Sequence, residues 1–424
     1  MLRLLLNRLK FGALCLGVLT LFYCTYDYRN ALVQLGYLNS HPCLETLQIS
    51  STEIVVNFAR ESPEAQFFAL LSQFIALPLI ITNSDLINCS LDSAHLTSCW
   101  KSTKLTFFTI SQKLDCLLQL FRLLQITGWN IGKIDKDRIY GTSSNNIAFE
   151  IVLLTDHTNY WSYFDRTENV ERAILPLNLR RIQINGANIL IPDPNVLARS
   201  LSNSRLLQCN RSLAEATRQW YIDAGVDTRP LLDQRQFREI VYYRDFLIAH
   251  GLTPMLFDGT LLGWARECGL IPHTTDVDMA VTIEEYSDRL KKDLIENNRL
   301  YLYWILGKLN DSLELSVFTR YIKIDLFFLY KSEDQSTWAG GLGSPKEVKL
   351  KWLFPAVKGI CAAVLMNHLF NIPCNYEEFL IANYGVNWTT PHLTKDFFWY
   401  RSHKNVHRNG KWSQKDFNAF YLPW

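Results

Sequence analysis

Asp276 and Asp278 stand either side of Val277, immediately ahead of the apolar run Met279-Ala280-Val281. On a strand alternate side chains share a face, so both carboxylates point one way and Val277 the other. Two hard oxygen donors side by side suit Mg²⁺ or Mn²⁺, which proteins commonly hold through a pair of carboxylates together with substrate phosphates. A third acid, Asp325, interrupts the otherwise apolar Tyr321-Ile322-Lys323-Ile324-Asp325-Leu326-Phe327-Phe328. A carboxylate in such a strand is costly unless a metal or a cation compensates it. It is the expected third member of the site, as metal ligand or as base for an attacking hydroxyl. Lys323 has the same strand parity, so a plain Lys323–Asp325 ion-paired face is the competing reading. For Asp276 and Asp278 the competing reading is a solvated turn.

The elements around these acids can be read in turn. Arg235 to His250 carries apolar residues at helical spacing and stops at Gly251, a favoured helix end. Met255-Leu256-Phe257 reads as a short strand, with Gly259-Thr260 directly after it. A glycine there lets backbone amides approach a phosphate, and a helix over Leu261 to Glu267 would aim its N-terminus at the anion. Gly269 and Ile271-Pro272 then lead the chain into the Asp276 strand. Earlier, Ile54-Val55-Val56, Leu79-Ile80-Ile81, Lys104 to Ser111 and Ala148 to Leu154 read as strands, and Leu114 to Thr127 as a helix ending at Gly128. Strands alternating with helices predict a small α/β domain over residues 51–205, with no catalytic motif in it.

Bulk properties exclude some functions. The 43 basic and 41 acidic side chains nearly cancel, so no field favours nucleic acid as partner. Ten cysteines occur without a C-x-x-C pair, which removes a zinc ribbon, and the nine histidines have no ligand spacing. At the N-terminus Arg3, Arg8 and Lys10 precede the apolar run Phe11 to Tyr23, with no small-residue cleavage site after it. That layout predicts a signal anchor over residues 11–26, a cytoplasmic tail over 1–10, a stem over 27–50 and a luminal body, with a cleaved signal or a buried helix as the competing readings of the apolar run. Sequons at Asn88, Asn210, Asn310 and Asn387 agree with a luminal, glycosylated chain.

Gly259-Thr260-Leu261-Leu262-Gly263, then Ile271-Pro272, then Asp276-Val277-Asp278, resembles the signature of the LicD/fukutin family of nucleotidyltransferase-fold proteins. Asp311 to Ser316, Lys351 to Pro355, Ile372-Pro373-Cys374, Asn383-Tyr384-Gly385, Trp388 and Asn409-Gly410 with Trp412 are similar to the fukutin branch in particular. The resemblance implies an α/β (α+β) nucleotidyltransferase-fold catalytic domain over residues 206–424. It implies a single-pass type II Golgi membrane enzyme moving ribitol phosphate from CDP-ribitol to a protein-linked O-mannosyl glycan, with release of CMP. Such an enzyme would work beside related Golgi transferases. Within it Asp276, Asp278 and Asp325 would form the metal site, with Gly259, Thr260, Gly263 and Arg266 on the phosphate side and Cys361 paired with Cys374. Asp258 and the stretch His273-Thr274-Thr275 depart from the fukutin pattern beside the site, which bears on the donor.

Phosphocholine or another CDP-alcohol group is the alternative cargo, and Asp258 matches LicD, which uses CDP-choline. A D-x-D glycosyltransferase would also use Asp276 and Asp278, although the upstream Gly259-Thr260 and the single downstream Asp325 favour the nucleotidyltransferase arrangement. A non-catalytic glycan-binding assembly factor would not need all three acids. Trp304, Trp338, Trp352, Trp388, Trp399 and Trp412 are expected mainly in packing, with one or two stacking on sugar. Lys346, Lys349, Lys351 and Lys358 read as a solvated face or as a phosphate-binding group.

Overall fold

The structure, a computed structural model, describes residues 105–110, 130–135, 137–142, 148–184, 187–343, 348–393 and 396–420, with the short strands Ile54–Val55 and Ile80–Ile81. The expected tail, anchor and stem, the Leu114 to Thr127 helix and Asn88 lie outside these residues. Among the described residues no helix is long and apolar enough to cross a membrane.

The chain forms two compact units. The first, up to Leu154 and again over Asn178–Pro194, is built on a sheet. The expected strands are found at Ile54–Val55, Ile80–Ile81, Leu105–Ile110 and from Ala148 onward. Inside it Arg138 and Glu150 form a buried ion pair across neighbouring antiparallel strands.

The second unit is Thr155–Leu177 with Asn195–Trp424, which differs from a single cut at residue 205. The hairpin Trp161–Asp165 and Val170–Ile174 belongs to it because Ala173 packs with Leu206, Ala362 and Leu369. Four helices matter for the site: α1 (Arg211–Asp223), α2 (Gln234–Ala249), α3 (Asp258–Glu267) and α4 (Tyr376–Tyr384). α2 opens on Asp233, whose carboxylate accepts from the Arg235 and Gln236 amides while Gln236 returns a bond to the Asp233 N–H. That reciprocal cap fixes the start, and Gly251 at φ +82° ends the segment. Phe237, Ile240, Tyr243, Arg244 and Leu247 form the buried stripe between these signals.

Ten strands follow: β1 (Met255–Leu256), β2 (Asp276–Thr282), β3 (Tyr301–Lys308), β4 (Asp311–Phe318), β5 (Lys323–Lys331), β6 (Thr337–Leu342), β7 (Val348–Phe354), β8 (Ile360–Leu365), β9 (His368–Pro373) and β10 (Val406–Lys411). They pair in the order β8-β9-β1-β2-β5-β6-β7-β10, with β4 also on β5 and β3 on β4. The sheet is mixed, and its central pair, β2 and β5, runs parallel. Val277, Met279 and Val281 lie opposite Ile324, Leu326 and Phe328 in one continuous core, so register is set by burial of both strands. α3 packs on α1, α4 and β2. It begins three residues before the expected helix, so Gly259 and Thr260 lie in its first turn rather than in a loop ahead of it. Two disulfides close the unit, Cys361–Cys374 as the resemblance implied and Cys209–Cys268, which joins the approach to α1 to the end of α3.

Candidate functional site

A cavity of about 400 Å³ lies where the first turn of α3, the starts of β2 and β5, and the β3–β4 hairpin meet the segment after α4. One side of its lining is acidic: Asp258, Asp276, Asp278, Glu314 and Asp325, with Lys323. The other is aromatic, including Trp304, Trp352, Trp388 and Trp399.

The parallel β2–β5 register brings the predicted acids together. Asp276 lies opposite Lys323, and Asp278 opposite Asp325. Because residues two apart share a face, all four side chains point to the same side, while Val277 and Ile324 are buried on the other. Two contacts fix the position of Asp278. Its backbone N–H donates to the Thr260 hydroxyl at 2.9 Å, and its carbonyl accepts from the Phe257 amide at 3.1 Å. Burial, then the Asp276, Asp258 and Asp325 carboxylates, hold the Asp278 carboxyl well above the usual carboxylate range. Asp325 is 5% exposed, and both its oxygens are engaged. Ser316 donates to Oδ1 at 2.5 Å, and the Lys323 ammonium lies 2.8 Å from Oδ2. Lys323 also lies 4.0 Å from Asp276. The ion-paired face that competed with the catalytic reading is therefore present, but it is built into the same cavity wall as the D-x-D pair.

The expected phosphate-side residues divide by what they touch. An added Cβ on Gly259 would stand 3.4 Å from Asp278 Oδ2, so glycine keeps the space beside that acid open. Thr260 is buried, and its hydroxyl is occupied by the Asp278 amide, so it shapes the strand start. Gly263 is a packing glycine, since a Cβ there would meet the Gly269 carbonyl at 2.9 Å and the Ile271 nitrogen at 3.0 Å. Arg266 borders the cavity but is 4% exposed, held 2.7 Å from Glu267 and donating to Tyr221 at 3.3 Å and to the Trp388 carbonyl at 3.4 Å.

Two further acids in the cavity wall were not singled out as site residues. Asp258 opens α3 at φ +40°, and its Oδ1 accepts from Tyr384 at 2.5 Å and from Asn383 at 2.9 Å. Glu314 sits on β4, two residues before Ser316, and is 6% exposed. Burial first and Asp325 second push its carboxyl up to about 8, while Lys323, Ser316 and Trp304 act the other way. Nothing in the spacing distinguishes Glu314, because its neighbours matter only once β4 lies on β5. The folded chain keeps a proton on Glu314 that the unfolded chain releases near 4.5. Its contribution to stability therefore declines as pH rises from about 4.5 to about 8 and levels off above that. Glu314→Gln should remove this decline, by up to about 1.4 kcal/mol per pH unit. Denaturant unfolding of both proteins at several pH values between 5 and 8 measures it. A constant difference between them across that range rules the protonated glutamate out.

Of the tryptophans, Trp304, Trp352, Trp388 and Trp399 line the cavity, whereas Trp338 stacks on Tyr330 at 4.4 Å and Trp412 is buried. Lys349 pairs with Asp311 at 2.7 Å, Lys351 lies over the Trp338 ring and Lys358 pairs with Glu378 at 2.7 Å. None of these three lines the cavity, and Lys346 falls outside the described residues. Asn210, Asn310 and Asn387 are exposed. Asn210 caps α1 by accepting from the Leu213 amide through Oδ1, which leaves its nitrogen free for a glycan.

Residues 251–375 match the family described as LicD/FKTN/FKRP, nucleotidyltransferase domain, and span β1 to β9 with Asp258, all three predicted acids, Glu314 and the Cys361–Cys374 disulfide. An uncharacterized protein of Caenorhabditis elegans is 38% identical over 183 residues, 41% of this chain and 48% of that one. A ribitol-5-phosphate transferase FKTN of Macaca fascicularis is 29% identical over 389 residues, 80% of this chain and 82% of that one. The Homo sapiens protein of the same name is 33% identical over 259 residues, 60% and 52% of the two chains. The chain spans about half the length of the first curated relatives it matches. Among solved structures, the lincosamide adenylyltransferase LnuA, lincomycin-bound, reaches a TM-score of only 0.25 at 9% identity, over 33% of this chain and 85% of that one. Within the second unit, residues 251–375 are thus similar to the LicD/FKTN/FKRP nucleotidyltransferase domain.

Proposed function

We propose that this protein is a metal-dependent phosphotransferase that moves an alditol phosphate, ribitol phosphate first among them, from a CDP-linked donor to a glycan hydroxyl and releases CMP. The observation that carries the reading is the β2–β5 register, which sets Asp278 beside Asp325 and Asp276 beside Lys323 on one cavity wall.

The donor set fits a hard divalent cation. Asp276, Asp278 and Asp325 border one cavity with Lys323, and burial first, then the neighbouring carboxylates, raise the Asp278 carboxyl. Among the described residues no three His, Cys, Asp or Glu side chains are already drawn together closely enough to hold a metal, and Lys323 stands between Asp276 and Asp325 instead. Asp276, Asp278 and Asp325 would hold Mg²⁺ or Mn²⁺, which when bound neutralises the donor diphosphate and the charge on the entering and leaving oxygens. The acceptor hydroxyl attacks the phosphorus that carries the alditol, and the bond to CMP breaks. Gly259 leaves the space beside Asp278 that a diphosphate oxygen needs. The aromatic wall keeps water from the reacting atoms and offers flat faces to sugar.

Relatives named as ribitol-5-phosphate transferases support ribitol as the first choice. Selectivity must come from groups that meet the alditol, since every CDP donor shares the diphosphate. A site built to hydrogen-bond hydroxyls can reject an analogue lacking them by up to about 10⁴-fold. The four tryptophans of the cavity favour a second reading, because choline prefers an aromatic cage. Incubating the protein with CDP-ribitol, CDP-glycerol and CDP-choline at equal concentration, with and without Mn²⁺, decides between them. CMP release should depend on metal and be fastest with CDP-ribitol; preference for choline refutes the donor, and indifference to metal refutes the cation.

The same reading places the protein in the Golgi membrane, anchored through residues 11–26, with its second unit in the lumen near related transferases and a glycoprotein acceptor. Three exposed sequons and two disulfides support a luminal, oxidising location. Protease added to sealed microsomes should leave the body intact, and its cleavage without detergent sinks the orientation.

A further inference from the structure

We propose that Asp258 is the general base that removes the proton of the acceptor hydroxyl, with Tyr384, Asn383 and His403 as the residues that position it. The assignment rests on the phosphotransferase reading and goes beyond the three acids named for the metal. Asp325 is placed with the cation and is only 5% exposed, so it offers little surface to an acceptor hydroxyl. Asp276 and Asp278 are committed to the cation. Asp258 is different: it borders the same cavity, and 23% of its side chain is exposed.

The donors around Asp258 converge on one oxygen. Tyr384 donates to Oδ1 at 2.5 Å and Asn383 at 2.9 Å, both from α4, and His403 Nε2 lies 3.6 Å from the same atom. Trp352 Nε1–H donates to His403 Nδ1 at 2.9 Å, which leaves the imidazole proton on Nε2, facing Asp258. Burial lowers the His403 pKa, so the ring is neutral, and burial with the Asp258 charge keeps the Tyr384 phenol protonated. With Oδ1 held in this way, Oδ2 is the oxygen left for an incoming hydroxyl. The backbone supports the same conclusion. Asp258 holds φ +40°, a region that non-glycine residues seldom occupy and that persists where surrounding structure imposes it, often at functional sites.

The hydroxyl proton passes to Asp258 Oδ2 as the acceptor oxygen bonds to the phosphorus carrying the alditol. The phosphorus–oxygen bond to CMP breaks, and CMP keeps the electron pair. The charged and titratable groups facing Asp258 are Tyr384 on α4, His403, and Asp276 and Asp278 on β2. Arg266, on its own helix, is paired with Glu267.

The test uses the full-length Mn²⁺-loaded protein, a glycan acceptor and the CDP donor that wild type turns over. Asp258→Asn should lower kcat by about 10²- to 10⁴-fold and leave donor affinity by calorimetry within about threefold. Tyr384→Phe should lower kcat while leaving the KM for donor unchanged, because Asp258 Oδ1 loses a donor that orients the carboxylate. An Asp258→Asn protein that keeps a tenth of wild-type kcat, or loses donor binding in step with kcat, overturns the assignment alone. Wild type silent toward all three CDP donors overturns both the assignment and the reading it rests on.

Discussion

Asp278→Asn is expected to cut metal-dependent CMP release by about three orders of magnitude or more while leaving the fold at least as stable as wild type. The loss follows from the metal-holding role proposed for the pair. Stabilisation of transition-state charge by a metal is worth several kcal/mol, and about 1.4 kcal/mol is a tenfold change in rate. Stability should move the other way because Asp278 is an expensive residue in the folded chain. It is set in the cavity wall among Asp276, Asp258 and Asp325, and its carboxyl is held well above the usual range by burial and then by those charges. An amide of the same shape keeps the backbone N–H bond to Thr260 and removes one negative charge from the group. Because the folded-state carboxyl is raised, wild type loses stability as pH rises above the ordinary carboxylate range, and Asn relieves that loss most above neutrality. Turnover and thermal unfolding at pH 7 and pH 8.5 test both halves. Near-normal turnover removes Asp278 from the site; a large drop in melting temperature makes it a structural residue. Asp276→Asn and Asp325→Asn should lose turnover similarly, although Asp325→Asn also weakens the pairing with Lys323.

Arg266→Ala is expected to destabilise the second unit by about 3–5 kcal/mol, the cost typical of leaving a buried charge without its partner. Arg266 and Glu267 lie 2.7 Å apart at 4% and 9% side-chain exposure, with Tyr221 donating to Glu267 at 3.1 Å. Burial raises the Glu267 carboxyl, and Arg266 is the main influence lowering it. Without the guanidinium Glu267 takes up a proton, so the deficit of the variant should shrink at low pH and widen as pH rises. Arg266→Met combined with Glu267→Gln should recover more than half of the loss. Denaturant unfolding measures the difference. If Arg266→Ala instead unfolds like wild type and raises the KM for donor tenfold, Arg266 is the phosphate contact that its place in the motif implies.

Much of the site could be read from residue type and period. Alternation alone put Asp276 and Asp278 on one face, and an isolated acid in an apolar strand drew attention to Asp325. Both inferences rest on local physics, the two-residue repeat of a strand and the cost of an uncompensated carboxylate. The α2 boundaries followed from a capping aspartate and a terminal glycine in the same local way. Gly259 and Thr260 were identifiable as site neighbours, yet whether they bind phosphate or shape the strand is not a local property. Thr260 is occupied because the pairing of β1 with β2 brings the Asp278 amide to it.

Only the tertiary structure decided the rest. Asp278 meets Asp325 because β2 and β5, 40 or more residues apart in sequence, run parallel in one register. Glu314 becomes a protonated acid only when β4 pairs with β5 and buries it near Asp325. Asp258 gains Asn383, Tyr384 and His403 from segments more than 120 residues away. Cys209 finds Cys268 because α3 packs on α1. A single sequence records side-chain chemistry and local period. Which charges share a low-dielectric pocket, and so which of them compensate one another, depends on long-range strand and helix pairing, because burial and distance set the strength of each interaction.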